Sequence, residues 1–257
     1  MYQTEFSNLI EIMDTLLSEN GCEWDKAQTH ESLRQYLIEE AYETVEAIDN
    51  SDMKSLREEL GDLMLHIVFH AKLGEEAGNF DIIDILKGIN KKLVRRHPHI
   101  FNREKEYDLN KVKDHWEELK QSEGRESRLD GTPKTLPALQ LAYRLQEKAA
   151  STGFDWDDIS GVWEKVNEEI IELKEAAGAG NLDATEEEFG DLIFSLVNLS
   201  RYLNINPEDA LRRSIRKFEF RFKGIEEEAR KSGRNLKEMS LKEMDEIWDG
   251  LKRKRIL

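Results

Sequence analysis

The chain has 257 residues, long enough for two domains of ordinary size or one large one. With 39 % apolar and 36 % charged residues it reads as a globular protein with a modest core, and a formal net charge of -16 opposes a polyphosphate backbone, so no nucleic-acid partner is expected. Cys22 stands alone, which excludes an internal disulfide, and the longest apolar stretch, LMLHIVFHA, is too short to span a membrane. The opening MYQTEFSNLI lacks the basic-then-apolar layout of a signal peptide, so a cytoplasmic location is expected.

Few prolines and glycines punctuate the charged segments, which favours helices. Residues 5–18 form the first predicted helix, with Phe6, Leu9, Ile10, Met13, Leu16 and Leu17 at helical spacing. A second runs over 30–49 with Thr29 as its N-cap, and a third from Asp52 to Leu73, ending at Gly74. Helices near 81–96 and 109–121 follow, interrupted by HPHIF at Pro98. The polar, turn-rich stretch after them is a linker over 123–134, between domains 1–122 and 135–257. Further helices fall near 137–150, 159–177, 183–203, 207–231 and 240–252. No segment alternates at period two, so the chain is all-α, two tandem helical bundles.

The halves repeat one another. GCEWDK at 21–26 answers to GFDWDD at 153–158, EEAYE at 39–43 to EEIIE at 168–172, and EELGDL at 58–63 to EEFGDL at 187–192. KLVRR at 92–96 answers to KFEFR at 217–221, and HWEELK at 115–120 to IWDGLK at 247–252. Order and spacing recur, as in a tandem duplication.

At about 100° per residue, Glu40 and Glu43 lie side by side off the apolar face of their helix, and so do Glu59 and Asp62 on the next. The second copy repeats this with Glu169 and Glu172, then Glu188 and Asp191. A short connection makes the two helices antiparallel neighbours, so the two pairs of acids face each other. Four unneutralised carboxylates at close range are costly, and a hard divalent cation removes the cost. Oxygen ligands alone favour magnesium over zinc. Glutamate-rich faces are more often merely solvated, yet a solvated face has no reason to keep the same four positions in both halves.

CEWDKAQTHESLRQYLIEEAYE, followed by EELGDL, RRHPHIF and HWEELK, resembles the MazG family of nucleoside triphosphate pyrophosphohydrolases. The second half resembles that family's C-terminal domain through GFDWDD, EEIIE, EEFGDL, KFEFRF and IWDGLK. Glu23 stands where the family usually has proline, a change that touches none of the acids. The family signature, Glu-Glu-x-x-Glu and then Glu-x-x-Asp, falls on Glu39, Glu40, Glu43, Glu59 and Asp62, and again on Glu168, Glu169, Glu172, Glu188 and Asp191. The resemblance implies that the last four acids of each set bind magnesium and that a nucleoside triphosphate is hydrolysed to the monophosphate and pyrophosphate. It also implies an all-α fold that dimerises, so that a neighbouring chain completes each site.

Attack of water at the α-phosphorus needs an activated nucleophile and a stabilised leaving group, both of which metal ions supply. The extra acid of each set, Glu39 or Glu168, is the candidate to accept the water's proton. The resemblance assigns Lys217, Arg221, Trp248 and Lys252 to nucleotide binding, with Lys92, Arg96, Trp116 and Lys120 as first-copy counterparts. Trp248 and Trp156 serve either as stacking platforms for a base or as core. His66 and His70 are four apart on one helix, but no HExxH is present, and Cys22 reads as a small apolar group. Asn198 stands where the first copy has Phe69, so an amide beside the acids marks the second site as the principal one. The rival readings are a helical module that senses nucleotide or metal without turnover, and a narrower all-α pyrophosphatase. The extra glutamate favours turnover; the tandem architecture and CEWDKAQTH speak against the narrower enzyme.

Overall fold

The structure is a computed structural model and describes residues 2–101 and 127–252. These form two compact units, one in each half of the chain. Every regular element among the described residues is helical. The first unit comprises α1 (Tyr2–Leu17), the single turn α2 (Glu23–Lys26), α3 (His30–Asp49), α4 (Met53–Glu76), α5 (Ile82–Arg96) and the short α6 (Pro98–Phe101). In the second, α7 (Ala138–Ala150), α8 (Ile159–Ala179), α9 (Leu182–Tyr202) and α10 (Pro207–Lys231) lead through a 3-10 turn at Leu236–Glu238 to α11 (Leu241–Lys252). No described helix is long and apolar enough to cross a membrane.

The helix starts are set by side-chain caps. Thr29 accepts from the Ser32 N–H while the Ser32 hydroxyl accepts from the Thr29 N–H, a reciprocal cap that opens α3 where the sequence predicts it. Asp52, Asp158, Asn181 and Asn206 cap α4, α8, α9 and α10 by accepting from main-chain N–H groups of the first turn, without the reciprocal bond. Three residues join α3 to α4, and two join α8 to α9, where Gly180 adopts φ 72° in the left-handed region. Links this short turn each pair into an antiparallel hairpin, and both pairs pack closely.

Gly74 does not end α4 as expected; the helix continues to Glu76. Gly74 is instead a close-packing position, where a Cβ would meet the Phe80 ring at 2.6 Å. The left-handed glycine that follows the helix is Gly78. The first core gathers Met13, Leu33, Val68 and Phe69, with Phe6, Leu9 and Leu65 among the side chains packed on it. The second gathers Val162, Val166 and Leu199 with Ile159, Ile170, Leu192 and Tyr202. Each fully buried aliphatic chain contributes roughly 1.5–3 kcal/mol. These cores lock the hairpins α3–α4 and α8–α9, whose other faces carry the acids.

Candidate active site

In the first unit the antiparallel pairing brings Glu40 of α3 against Glu59 and Asp62 of α4, with one carboxylate oxygen from each lying within 4.8 Å of the others. Burial, then the charges of Asp62, Glu43 and Glu59, push the Glu40 carboxyl above its ordinary range; burial, then Glu43 and Asp62, do the same to Glu59. Glu43 thus acts on the group by its charge, and Glu39 is exposed on α3 outside it.

The second unit repeats the arrangement. Glu169, Glu188 and Asp191 converge within 4.8 Å, and Glu169 also groups with Glu168 and Glu172. Burial and the charges of Glu172, Glu169 and Asp191 push Glu188 up. Glu169 is only 3 % exposed. One of its oxygens pairs with the Lys165 ammonium at 2.5 Å, while Oε2 is buried without a partner. Lys165 also reaches Glu168 at 2.9 Å, and these two hydrogen bonds raise its pKa. Like charges at this range, and a buried carboxylate oxygen lacking a donor, fit a hard divalent cation with oxygen ligands. Protons compete for the same oxygens. Divalent-cation affinity is therefore expected to weaken as pH falls from neutrality, starting above the range in which ordinary carboxylates titrate. Calorimetric titration with magnesium across that window measures it.

A cavity of about 770 Å³ opens beside these acids, and Glu169, Asp191 and Lys165 line one part of it. Phe154, Trp156 and Phe194 supply aromatic walls, and Gln146 and Asn198 supply amides. Trp156 packs over Gly161, where a Cβ would come within 2.7 Å of the indole. The segment carrying Phe154 and Trp156 is tied to α9 through Asp155, which pairs with Arg201 and accepts from the Tyr202 hydroxyl at 2.6 Å. The Trp156 carbonyl lies equally close to that hydroxyl, at 2.6 Å, as the alternative acceptor for its single proton. Burial opposes ionisation of Asp155, but the hydrogen bonds from Arg201 and Tyr202 outweigh it and hold the carboxyl below its ordinary range. Leu129 closes another part of the cavity, and the Lys148 ammonium donates to the carbonyls of Leu129 and Asp130 at 3.3 and 2.6 Å. Residues 129 and 130, within the predicted linker, are thus fastened to the second unit.

The basic and aromatic residues assigned by resemblance lie elsewhere on the second unit. The Arg221 guanidinium sits 5.2 Å over the Trp248 ring, which Phe218 meets edge-on at 5.5 Å. Gly224 permits this approach of α10 and α11, since a Cβ there would meet Leu251 at 2.4 Å. Lys252 pairs with Asp249 at 2.7 Å, and Lys217 is exposed. None of Lys217, Arg221, Trp248 and Lys252 lines the cavity, whereas Trp156 and Asn198 do. In the first unit Lys92 is exposed and Arg96 half-buried on α5; Trp116 and Lys120 lie outside the described residues. His70 contacts His30 at 2.7 Å between Nδ1 atoms, with His66 beside it; His66 feels the charge of Asp62, but none of these imidazoles joins the carboxylate group. Sequence reasoning missed Lys165, Gln146, Arg201 and Tyr202. The spacing of Lys165, four residues before Glu169, was a signal for the first of these.

A profile of the MazG nucleotide pyrophosphohydrolase domain matches residues 28–101 and 160–225, the segments that carry both acid-bearing hairpins. A Thermotoga maritima protein named nucleoside triphosphate pyrophosphohydrolase/pyrophosphatase MazG is 49 % identical over 250 residues, which cover 96 % of this chain and 95 % of that protein. The Escherichia coli K12 nucleoside triphosphate pyrophosphohydrolase is 40 % identical over 259 residues, covering 98 % of each chain. The uncharacterized protein YabN of Bacillus subtilis is 49 % identical over 255 residues, 96 % of this chain but 52 % of that one. With the family profile matched in both units and near-full-length relatives at these identities, the chain is an enzyme of the MazG nucleotide pyrophosphohydrolase family.

Proposed function

We propose that the protein hydrolyses nucleoside triphosphates to the monophosphate and pyrophosphate by attack of water at the α-phosphorus, with magnesium held by Glu169, Glu172, Glu188 and Asp191 and equivalently by Glu40, Glu43, Glu59 and Asp62. The observation that carries this reading is the convergence of Glu169, Glu188 and Asp191, with an unpartnered buried oxygen, at the edge of a cavity large enough for a nucleoside. Bound magnesium would neutralise the carboxylates and the substrate phosphates and supply Lewis acidity.

Glu168, exposed beside Glu169, takes the proton of the attacking water, and Glu39 is its first-unit counterpart. Lys165, which pairs with Glu168 and Glu169, would be free to donate to a phosphate oxygen if magnesium took its place on Glu169. Trp156 and Asn198 bind the nucleoside in the cavity. Lys217, Arg221, Trp248 and Lys252 meet the phosphates or base of a nucleotide bound by an adjoining chain in a homodimer; Lys92, Arg96, Trp116 and Lys120 are their counterparts by position in the first copy. Their position off the cavity supports that arrangement, as does an apolar stripe exposed beside the acids in both units, Leu60, Met64 and Ile67 on α4 and Phe189, Ile193 and Leu196 on α9. The second site is the principal one, because the first has Phe69 in place of Asn198.

Pyrophosphate release from each nucleoside triphosphate, with and without magnesium, tests the scheme. Stoichiometric pyrophosphate that depends on the metal is expected. Orthophosphate as the product would exclude attack at the α-phosphorus, and binding without turnover would favour a sensing module.

A further inference from the structure

Two positions differ in kind between corresponding helices of the two units. α1 ends at Leu17 and α7 at Ala150, and the buried side chain four residues before each end is Met13 in the first and Gln146 in the second, so Met13 corresponds to Gln146. The GDL landmarks make Phe69 the counterpart of Asn198. In the first unit Met13 and Phe69 are core residues, 1 % and 4 % exposed, within one packed cluster. In the second unit both are amides that line the cavity. A core that trades two apolar side chains for amides is less stable unless something completes their hydrogen bonds.

Each amide is half satisfied, and its orientation is fixed by a partner that plays only one role. Gln146 is nine-tenths buried; its Nε2 donates to the Phe194 carbonyl at 2.9 Å, which leaves Oε1 buried without a partner. A carbonyl only accepts, so the amide cannot be flipped without breaking that bond. Asn198 accepts from Arg201 through Oδ1 at 3.0 and 3.3 Å. Arginine only donates, so the Nδ2 hydrogens of Asn198 face away from it. The second unit thus holds one oriented acceptor and one oriented donor among the aromatic rings of Phe154, Trp156 and Phe194. A planar heterocycle with an N–H and a carbonyl or ring nitrogen matches that set.

We propose that Gln146 and Asn198 read the nucleobase of the substrate, Gln146 accepting from a base N–H and Asn198 donating to a base acceptor, and that the first unit, filled by Met13 and Phe69 at these places, takes no nucleoside. The proposal rests on the nucleotide hydrolysis proposed above.

The test compares a nucleoside triphosphate with ribose 5-triphosphate, which lacks the base, in wild type, Gln146→Met and Asn198→Leu. Each substitution is expected to raise KM for the nucleoside triphosphate about tenfold and to leave the parameters for ribose 5-triphosphate within about twofold. Equal losses on both substrates would overturn the assignment and leave a structural or phosphate-binding role. Calorimetry with a nucleoside monophosphate and magnesium separates this outcome from failure of the hydrolysis scheme, because it needs no turnover. One monophosphate per chain, weakened about tenfold in Gln146→Met while ribose 5-phosphate is unaffected, is expected. Two per chain, or unchanged affinity in both variants, would overturn it. Melting curves of the variants guard against misfolding, and Gln146→Met is expected to melt no lower than wild type because it removes an unsatisfied buried oxygen.

Discussion

Glu188→Gln is expected to lower pyrophosphate release by about a hundredfold or more, since changing even a group that only supports a metal ligand costs about 10–100-fold. The same variant is expected to melt higher than wild type in the absence of metal. Glu188 is pushed up by burial and by its acidic neighbours, so its ionised form opposes folding. The sign determines the pH dependence. A carboxyl whose folded pKa exceeds its unfolded value destabilises the native state at high pH, and the penalty disappears as pH falls below the ordinary carboxylate range. The melting-temperature gap between Glu188→Gln and wild type should therefore be full near neutrality and close on acidification. Glu59→Gln, the equivalent change in the first unit, should show the same gain in stability, because Glu59 is raised for the same reasons. It should leave turnover within about twofold if the second site carries the reaction. Melting curves across pH and a pyrophosphate assay on both variants read all four results. A fall in the metal-free melting temperature of Glu188→Gln would show that the carboxylates do not burden the fold.

What the sequence revealed of this site was the part written in local periodicity. The three-residue spacing of Glu169 and Glu172, and of Glu188 and Asp191, puts each pair on one helix face whatever else the chain does. A capped start at Thr29 and short hairpin links then bring the two faces together. Repetition across the halves turned a common surface pattern into a site. The contacts that sequence reasoning missed are mostly non-local. Asp155 and Arg201 are 46 residues apart, and neither carries a pattern that names the other. Gly74 looked like a helix stop, but its small size serves the Phe80 ring instead. Gln146 was hidden for another reason. The turn after α1 is one residue longer than the turn after α7, so a fixed offset from the GCEWDK and GFDWDD landmarks pairs Gln146 with Asp14 rather than Met13. Counting back from the helix ends at Leu17 and Ala150 to the buried side chains restores the register, and with it the exchange of a core methionine for an amide.

If the proposed homodimer forms through α9, Phe189→Asp is expected to convert it into monomers. Phe189 is 55 % exposed on α9, and Ile193 and Leu196 continue its stripe along the same helix face. Glu188 and Asp191 lie on the adjoining face of that helix, so an interface here would border the metal site. In a two-fold symmetric dimer each residue of the stripe is buried twice. Losing a phenylalanine contributes about 2 kcal/mol per copy, hence about 4 kcal/mol per dimer, and every 1.4 kcal/mol is tenfold in affinity. Dimerisation should thus weaken by about three orders of magnitude before the cost of burying the new carboxylate is counted. Sedimentation equilibrium of wild type and variant reads the change directly. Leu60→Asp on α4 makes the parallel test for the first unit, whose stripe continues through Met64 and Ile67. If Phe189→Asp dissociates the protein and also lowers turnover while each chain still binds magnesium, a residue from the adjoining chain completes the site, and Lys217 and Arg221 are the first candidates. A variant that keeps the wild-type mass would mean that the stripe is not the surface through which two copies meet.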